Sequence, residues 1–378
     1  MGFDVSGQNS KLDGLNIGKL SSLSFEVGPI RPPSEGGSHS LLIRATRNCP
    51  WSRCKFCYAI MYNREKFQLR PVEDIKKDID TAREIAEGIK AVSWKLGYGG
   101  SINADVGTAL VRYDPALNVN HCFVMIFNWL YFGAKTVFLQ DANSIIMPTP
   151  QLLEVLAYLK ETFPTIERVT SYARAKTLAK KSIEELKELR KAGLSRLHVG
   201  LETGDDDLLK YVDKGVTAAE QIEAGKKAKE ACFELSEYVM PDLGGRERWE
   251  QHARNTAKVL NEVNPDFIRL RPFVTGPGMP LYDDYSKGNL TLSSPHERLQ
   301  ELKLMVESLN VTSRLCFDHF LNSWYKDVGH RYTLFKQDYN GYKLPEEKEK
   351  VLSLIDEGLK IDESAHIHVK DLIGMTHL

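Results

Sequence analysis

Three cysteines within nine residues give this sequence its clearest chemical signal. Cys49, Cys54 and Cys57 have the spacing C-x4-C-x2-C in the stretch NCPWSRCKFCY, which directly follows a short β-branched apolar run. Thiolates at this spacing can converge on one metal centre. Structural zinc normally has four protein ligands, yet no fourth cysteine lies nearby and the next histidine downstream is His121. Three cysteines better fit an iron–sulfur cluster with one open iron, and structural zinc remains the alternative.

The motif resembles that of the radical SAM superfamily, C-x3-C-x-aromatic-C. The stretch Cys54-Lys55-Phe56-Cys57 matches its second half, whereas the first spacing has four intervening residues instead of three. The resemblance covers about residues 40–282 and implies a [4Fe–4S] cluster on the three cysteines and S-adenosylmethionine (SAM) on its open iron. It further implies reductive cleavage of SAM to a 5′-deoxyadenosyl radical. Phe56 and Tyr58 are then predicted to border the cofactors.

Length and composition restrict the class of protein. The chain has 378 residues, 42% of them hydrophobic, which suits two or three domains or one large α/β barrel. The net charge of −1 argues against a globally basic nucleic-acid binder. The longest apolar run, from Cys122 to Ala134, is short and contains Asn128, so we expect a buried element rather than a membrane span. The N-terminus lacks an apolar signal region, and we expect a cytoplasmic protein.

The elements that position the cysteines follow an alternating pattern. Six β-branched apolar runs are predicted strands, and the last five start about 30 residues apart. These strands are Ser40–Thr46, Thr136–Gln140, Arg168–Tyr172, Arg196–Leu201, Leu235–Met240 and Phe267–Pro272. Helix-start signals lie between them or after them, at Thr149, Ser182, Thr217 and Ser294. Strands that alternate with helices predict an α/β fold with a parallel sheet.

The resemblance sharpens this to a partial (β/α)6 TIM-like barrel. We expect an irregular lead-in over residues 1–38, a core barrel over 39–285 with an insertion at about 90–125, and a helical C-terminal extension over 286–378. Helices are predicted at 294–309 and 345–360, with an aromatic-rich stretch between them. RNA could stack on these aromatic residues, although no lysine or arginine stripe accompanies them, so core packing is the preferred interpretation.

Polar residues follow the second predicted strand in the sequence Gln140-Asp141-Ala142-Asn143. The superfamily usually has a glycine- and acid-containing turn here that binds the SAM amine. Gln140, Asp141 and Asn143 are the matching positions, and their oxygens can accept from an ammonium. The alternative is an Asx turn that caps the next element.

The third predicted strand ends in Ser171-Tyr172-Ala173-Arg174. The resemblance implies that Ser171 and Arg174 lie at the cofactor site. A guanidinium suits the SAM carboxylate or a substrate acid. An exposed arginine without such a role is equally compatible with the sequence.

The fourth predicted strand contains Gly200-Leu201-Glu202-Thr203-Gly204, followed by Lys214-Gly215. This resembles the superfamily's G-x-E-S/T-G signature followed by K-G. Glu202 is accordingly predicted to bind the SAM ribose, and Lys214 to reach the SAM carboxylate. The alternative for Glu202 is a favourable charge at the following helix N-terminus. His198, on the same face of the strand, is left without an assigned role, because a core histidine is the more common case.

The fifth and sixth predicted strands also resemble radical SAM relatives, including the oxygen-independent coproporphyrinogen oxidases. Met240 and Leu270 are the apolar positions predicted to lie under the adenine. Arg269 and Arg271 share a strand face and suit either an anionic substrate or an internal salt bridge. The other cysteines show no second C-x2-C motif and are expected to be small buried hydrophobic residues; they are Cys122, Cys232 and Cys316.

The expected activity is therefore that of a radical SAM enzyme, an oxidoreductase-type protein that abstracts a hydrogen atom from an unidentified and possibly anionic small molecule. The resemblance implies an external electron donor such as flavodoxin or ferredoxin. Two alternatives stay open: a metal- or cluster-stabilised binding module without SAM chemistry, and an RNA-modifying radical SAM enzyme. Nothing in the sequence names the substrate, and the fold does not choose it. The net charge disfavours nucleic acid, and no membrane partner is expected.

Overall fold

The computed structural model describes residues 12, 14–15, 17–29, 39–57, 66–319, 324–327 and 329–373. The chain divides into two compact units, each assembled from separate stretches. Unit 1 comprises Met1–Arg47, Gln68–Ser171 and Lys191–Ser195. Unit 2 comprises Asn48–Phe67, Tyr172–Arg190 and Arg196–Leu378.

Unit 1 contains the first three predicted strands and the helices between them. Its strands are β1 (Ser40–Arg44), β2 (Thr46–Arg47), β3 (Gln68–Leu69), β4 (Thr136–Gln140) and most of β5 (Arg168–Ala173). Its helices are α1 (Ile17–Leu20), α2 (Val72–Lys95), α3 (Ala104–Tyr113), α4 (His121–Tyr131) and α5 (Thr149–Thr162). Short 3₁₀ turns occupy Pro115–Val119 and Ser144–Ile146.

The sheet of unit 1 is parallel, with β4 paired to β1 on one side and to β5 on the other. Residues 41–43 and 137–139 are fully buried, as expected for parallel strands covered on both faces. The apolar run from Cys122 to Ala134 forms α4, with Trp129 completely buried. Among the described residues, no helix is long and apolar enough to cross a membrane.

Unit 2 contains the later strands and the C-terminal region. Its strands are β6 (Leu194–Glu202), β7 (Glu234–Val239), β8 (Phe267–Leu270), β9 (Arg314–Cys316), β10 (Trp324–Asp327), β11 (His330–Thr333) and β12 (Tyr342–Lys343). The part of β6 that belongs to this unit begins at Arg196. The helices of this unit are α6 (Ala175–Lys180), α7 (Ile183–Ala192), α8 (Asp206–Tyr211), α9 (Ala218–Glu230), α10 (Gly245–Val263), α11 (Pro280–Ser286), α12 (Pro295–Ser308) and α13 (Lys348–Lys360). The part of α7 that belongs to this unit ends at Arg190. Two 3₁₀ turns follow, at Glu363–Ala365 and Val369–Leu372.

The sheet of unit 2 is parallel from β6 through β7 and β8 to β9. The short strand β12 adds antiparallel to β9, and β10 and β11 form a separate hairpin. Parallel strands deliver their carboxyl ends to one edge of a sheet. In unit 2 this edge carries the residues that follow β6, β7 and β8.

The helix-start signals act as predicted. Thr217 and Ser294 form complete capping boxes with Glu220 and Glu297. Ser182 exchanges the equivalent two hydrogen bonds with Glu185 at 2.9 and 3.1 Å. Each box satisfies backbone groups that would otherwise be exposed at the helix start. All six predicted strands are present with ends shifted by at most a few residues, which confirms the α/β class with parallel strands.

The C-terminal region contains both predicted helices, α12 and α13. It also contains the four short strands β9 to β12. Aromatic residues between the helices lie in or next to these strands. Among them, Phe317 stacks on Phe335 at 3.9 Å between ring centroids. Strands of two to four residues carry too little alternation to be read from sequence.

Candidate active site

The cysteine loop begins where the chain enters unit 2, immediately after β2. Asn48 (φ 62°) and Ser52 (φ 47°) both adopt the left-handed conformation, which turns the chain sharply on either side of Cys49. The Cys57 amide donates to the Cys54 carbonyl at 3.2 Å. The Ser52 amide points at the Cys49 Sγ at 3.5 Å. The loop is therefore folded back on itself around Cys49 and between Cys54 and Cys57.

The loop is anchored on the segment that follows α8. Trp51 Nε1 donates to the Asp213 carbonyl at 2.6 Å, and the Lys55 amide donates to the Val212 carbonyl at 2.9 Å. Gly215 has a φ of +70°, and a Cβ at this position would lie 2.4 Å from the Trp51 ring. Only glycine fits under the indole here. The K-G signature therefore positions the cysteine loop directly.

The three thiols influence one another and lie near two cations. Burial raises the pKa of Cys57 to about 12, with the neighbouring Cys54 and Cys49 adding to the rise and Lys214 opposing it. Burial also raises the pKa of Cys54, against the lowering effects of Lys214 and Arg174. All three cysteines are unbridged. Buried thiols of this kind are protonated in the absence of metal and release protons when they bind it.

Within the described ranges, no three histidine, cysteine, aspartate or glutamate side chains converge on a single metal-ion position. In an iron–sulfur cluster the thiolates bind different irons and need not meet at one point. The donor set of three partly buried thiols in one loop, next to cations, fits a cluster.

Glu202 ends β6 in a strained conformation. Its φ is +64°, in the left-handed region, and the pairing of β6 with β7 shifts register between Gly200 and Glu202. A non-glycine residue in this region costs of order 1–3 kcal/mol and persists only where its surroundings enforce it. The bulge turns the Glu202 side chain toward Lys214.

The ammonium of Lys214 lies 2.9 Å from Glu202 Oε1. These two side chains are only 11% and 13% exposed. Gly200 makes room for the pair, because a Cβ there would lie 2.3 Å from Glu202 Oε1 and 3.1 Å from Lys214 Nζ. Burial lowers the pKa of Lys214, but the charges of Glu202 and Cys54 outweigh it and the net pKa is raised. Lys214 is therefore charged at neutral pH.

Arg174 and Phe56 complete this arrangement. Arg174 Nη2 donates to the Lys214 carbonyl at 2.7 Å, and its guanidinium lies 5.3 Å from the Trp51 ring centroid. Lys214 Nζ lies 5.3 Å from the centroid of the Phe56 ring. Of the predicted site residues, unit 2 thus brings four together around the cysteine loop: Phe56, Arg174, Glu202 and Lys214.

The two apolar positions predicted under the adenine are both buried. Met240 belongs to the same apolar cluster as Phe56, and its amide donates to the Glu202 carbonyl at 3.0 Å. Leu270 ends β8 opposite Val239 and is 1% exposed. Tyr58 lies outside the described residues.

In unit 1, the predicted SAM-amine residues make hydrogen bonds within that unit. The Gln140 amide pairs with the backbone of Gly28, accepting from its N–H at 2.8 Å and donating to its carbonyl at 3.0 Å. The buried Asp141 carboxylate accepts from Arg44 at 2.9 Å and from the Ala142 amide at 2.8 Å. Both side chains therefore have structural partners, and their role toward SAM stays a prediction.

Asn143 and Ser171 are both buried in unit 1. Asn143 is at the N-cap of the 3₁₀ turn Ser144–Ile146, yet its side chain makes no capping hydrogen bond. The Asx turn considered for this stretch is thus not formed by the Asn143 side chain at this cap. Ser171 pairs with Leu139 in the β4–β5 ladder. Their contribution to cofactor binding also stays a prediction.

Two further sequence interpretations are settled by contacts within unit 2. Arg269 forms a buried ion pair with Asp318 at 2.8 Å, so the internal salt bridge is the correct alternative for this arginine. His198 is fully buried and packs against Tyr172 and Tyr238, at 5.8 and 5.5 Å between ring centroids. It is a core histidine, as expected.

The prediction for the scattered cysteines holds for two of the three. Cys122 and Cys316 are buried, but Cys232 is exposed, and the expectation of a buried residue there is wrong. Cys232 follows the end of α9 with a φ of +62°. At this turn the chain reverses on the surface, and the side chain points away from the apolar interior.

Sequence reasoning missed the residues behind Glu202. His252 Nε2 lies 3.3 Å from the Glu202 carbonyl, and His252 Nδ1 lies 3.1 Å from Glu301 Oε1. These residues come from α10 and α12, about 50 and 100 positions further along the chain. Their sequence surroundings carry no motif, so only the fold reveals them.

Residues 129–254 match the sequence model of the family described as the radical SAM superfamily. The heme chaperone HemW of Bacillus subtilis is 26% identical over 46% of this chain and 45% of its own length. The tRNA uridine(34) acetyltransferase of Methanocaldococcus jannaschii is 22% identical over 28% of this chain and 20% of its own length. The chain thus spans less than half the length of these curated relatives.

Among solved structures, coproporphyrinogen III oxidase (HemN) of Escherichia coli, described as a radical SAM enzyme, is similar with a TM-score of 0.45. It is 13% identical, over 85% of this chain and 64% of the other. Residues 129–254 of this protein thus match a radical SAM domain, the family that its cysteine motif resembles. The predicted radical SAM class of fold is supported for this region, and the matched family is one of enzymes that use a [4Fe–4S] cluster and SAM.

Proposed function

We propose that this enzyme cleaves SAM reductively at a cluster held by Cys49, Cys54 and Cys57, and that the resulting radical abstracts a hydrogen atom from a small molecule. The observation that carries the proposal is the buried Lys214–Glu202 pair beside the cysteine loop. A buried ion pair next to three unbridged thiols, at a strained strand end, is costly for the fold alone. A ligand with matching charges accounts for it.

The bound cluster supplies the electron for cleavage of the SAM sulfonium. The protein residues orient SAM and exclude water. Glu202, ionised and next to Lys214, offers carboxylate oxygens to the ribose hydroxyls. Lys214 and Arg174 offer positive charge to the SAM carboxylate, and an arginine suits that group bidentately. Phe56 and Met240 form an apolar floor for the adenine.

The cations also suit the cluster itself. Lys214 and Arg174 oppose the effect of burial on the pKa of Cys54. Positive charge near a buried thiol favours the thiolate, which is the form that binds metal. The same two residues therefore serve both the thiolates and the SAM carboxylate.

The substrate is not identified by these residues. Because Arg269 is neutralised by Asp318, the possibility of an anionic substrate now depends on Arg271. The charge of Arg271 lies close enough to His319 to add to the effect of burial, which lowers the pKa of His319 to about 3. A neutral His319 adds no second positive charge beside Arg271, and an anionic group on the substrate stays a prediction.

The relatives do not select a reaction. One is named a heme chaperone and the other a tRNA acetyltransferase, and this chain covers only part of each. An external electron donor such as flavodoxin or ferredoxin, and a cytoplasmic location, stay predictions. The RNA-modifying alternative and the binding-module alternative stay open as well.

Anaerobic reconstitution with iron and sulfide, followed by addition of SAM and dithionite, tests the proposal. We expect 5′-deoxyadenosine to form in a reductant-dependent reaction. A protein that binds a cluster but neither binds nor cleaves SAM would support the binding-module alternative instead.

A further inference from the structure

We infer that His252, held in place by Glu301, is a positioning residue that fixes the backbone of Glu202 and thereby sets the affinity of the enzyme for SAM. The inference rests on the proposed function, since it assumes that Glu202 binds SAM. It concerns two residues that belong to no motif of the sequence.

The Glu202 carbonyl receives two hydrogen bonds from different elements. The Met240 amide donates from the end of β7 at 3.0 Å, and His252 Nε2 approaches from α10 at 3.3 Å. Two donors on one carbonyl fix the orientation of its peptide plane. That plane determines where the Glu202 backbone leaves the strand.

The fixed plane matters because Glu202 is in the left-handed conformation, at φ 64°. A glutamate released from this conformation relaxes toward the extended region, which costs an L-residue less. The relaxation would rotate the carboxylate away from Lys214. The donors to the carbonyl therefore hold the carboxylate at 2.9 Å from the Lys214 ammonium.

His252 is itself held from behind. It is 1% exposed, and its Nδ1 lies 3.1 Å from Glu301 Oε1 on α12. The Glu301 carboxylate also accepts from the Asp242 amide, at 3.2 and 3.3 Å to its two oxygens. The Asp242 carboxylate in turn pairs with Arg298, which lies one helical turn before Glu301. The turn after β7 and the helix α12 thus brace the imidazole together.

The charged groups around His252 favour its protonated form. The Glu301 and Asp242 carboxylates and the Glu202 carbonyl act in this direction, whereas Arg298, which pairs with Asp242, is the cation behind them. Burial lowers the pKa of His252, but Glu301 outweighs burial and the net pKa is raised. A protonated imidazole carries an N–H on each nitrogen, so that Nε2 can donate to the Glu202 carbonyl while Nδ1 lies at ion-pair distance from Glu301.

The first test compares two substitutions of His252 in the reconstituted protein. His252→Met removes both ring nitrogens at a similar volume. His252→Gln keeps an N–H donor in reach of the Glu202 carbonyl but cannot carry the charge. We expect His252→Met to weaken SAM binding about tenfold in equilibrium dialysis, and His252→Gln to recover most of that loss.

Val259→Ala is the matched control for general loss of stability. Val259 is buried on α10, seven residues beyond His252, and makes none of the contacts described above. We expect it to lower the unfolding midpoint while leaving the SAM affinity of the folded protein unchanged. Equal losses of SAM affinity in Val259→Ala and His252→Met would overturn the inference.

The remaining outcomes separate this inference from the proposed function. If the wild-type protein binds SAM and His252→Met binds it equally well, the positioning role is wrong while the proposed function stands. If the wild-type protein with a full cluster does not bind SAM, the proposed function itself fails. A second readout is the pH dependence of SAM affinity, which Glu301→Gln should shift to lower pH because it removes the charge that raises the pKa of His252.

Discussion

The Lys214 ammonium lies 2.9 Å from Glu202 Oε1, and Gly200 provides the space in which they meet. All three residues belong to the G-x-E-T-G and K-G signatures, so one ion pair gives a physical reason for three positions of these signatures. The pair also lies beside the loop that carries the cysteines, since Trp51 packs against Gly215.

The ion pair gives the first prediction. Glu202→Gln should weaken SAM binding about tenfold, or roughly 1.4 kcal/mol, because the carboxylate is lost while the shape is kept. Iron content should stay at the wild-type level. The apo protein should also lose stability, because Lys214 is left as a buried charge without its partner.

A double-mutant cycle separates the two effects. Lys214→Met in the Glu202→Gln background should recover stability, since no buried charge remains unpaired, but SAM affinity should stay low. If the double variant regains both stability and SAM affinity, the pair is structural only.

The second prediction concerns the space at Gly200. Gly200→Ala places a Cβ 2.3 Å from Glu202 Oε1, so the carboxylate must move. We expect a several-fold weaker affinity for SAM in a protein that still folds and binds iron. Gly18→Ala is the control, because a Cβ at Gly18 meets nothing within 4 Å. Wild-type SAM affinity in Gly200→Ala would contradict the assigned geometry.

The third prediction concerns the contact between Gly215 and Trp51. Gly215→Val combines a side chain with a φ of +70° and a clash with the indole ring. The cysteine loop should be displaced, and the reconstituted protein should hold less iron and sulfide per chain. The companion variant Trp51→Ala removes the ring and the clash, so Gly215→Val should cost less iron in that background. Unchanged iron in Gly215→Val would show that the loop position does not depend on this contact.

The fourth prediction uses the buried carboxyl of Glu237 on β7. Burial raises its pKa to about 8, with the Glu202 charge adding to the rise, and its Oε2 has no hydrogen-bond partner in the described part of the chain. Because the folded state keeps a proton that the unfolded state loses above pH 4.5, stability should fall as the pH rises from 4.5 through about 8. The slope is about 1.4 kcal/mol per pH unit for one proton.

Glu237→Gln removes this ionisation with little change of shape. The free energy of unfolding of this variant in urea should depend less on pH between 5 and 8 than that of the wild type. The difference in slope should be at most that of one bound proton. Glu230→Gln, at an exposed ion pair with Lys187, is the control and should keep the wild-type slope. Equal slopes for Glu237→Gln and the wild type would show that Glu237 is already ionised.

Sequence reasoning reached the parts of the protein that depend on local patterns. The strands around Phe138, Val199 and Ile268 are apolar runs, and the helices after Ser182 and Thr217 begin at capping boxes, which are local signals. The cysteine motif and the two glycine signatures are likewise short-range. All of these could be predicted from the chain alone.

The remaining features depend on contacts between distant parts of the chain. The partner of Arg269 is Asp318, 49 positions away, and that of the Glu202 carbonyl is His252, 50 positions away. The left-handed conformation of Glu202 results from a shift in strand register that no residue type announces. The exposed turn at Cys232 depends on where α9 ends, and helix ends are the least predictable boundaries.

The central claim is that Cys49, Cys54 and Cys57 hold the cluster at which SAM is cleaved. The most direct measurement is the formation of 5′-deoxyadenosine from SAM and dithionite, compared among the reconstituted wild type, the triple Cys→Ala variant of these residues, and Cys232→Ala. We expect reductant-dependent 5′-deoxyadenosine with the wild type and with Cys232→Ala, and neither product nor bound cluster with the triple variant. A triple variant that keeps a full cluster, or a wild type that holds its cluster and yields no 5′-deoxyadenosine, would contradict it.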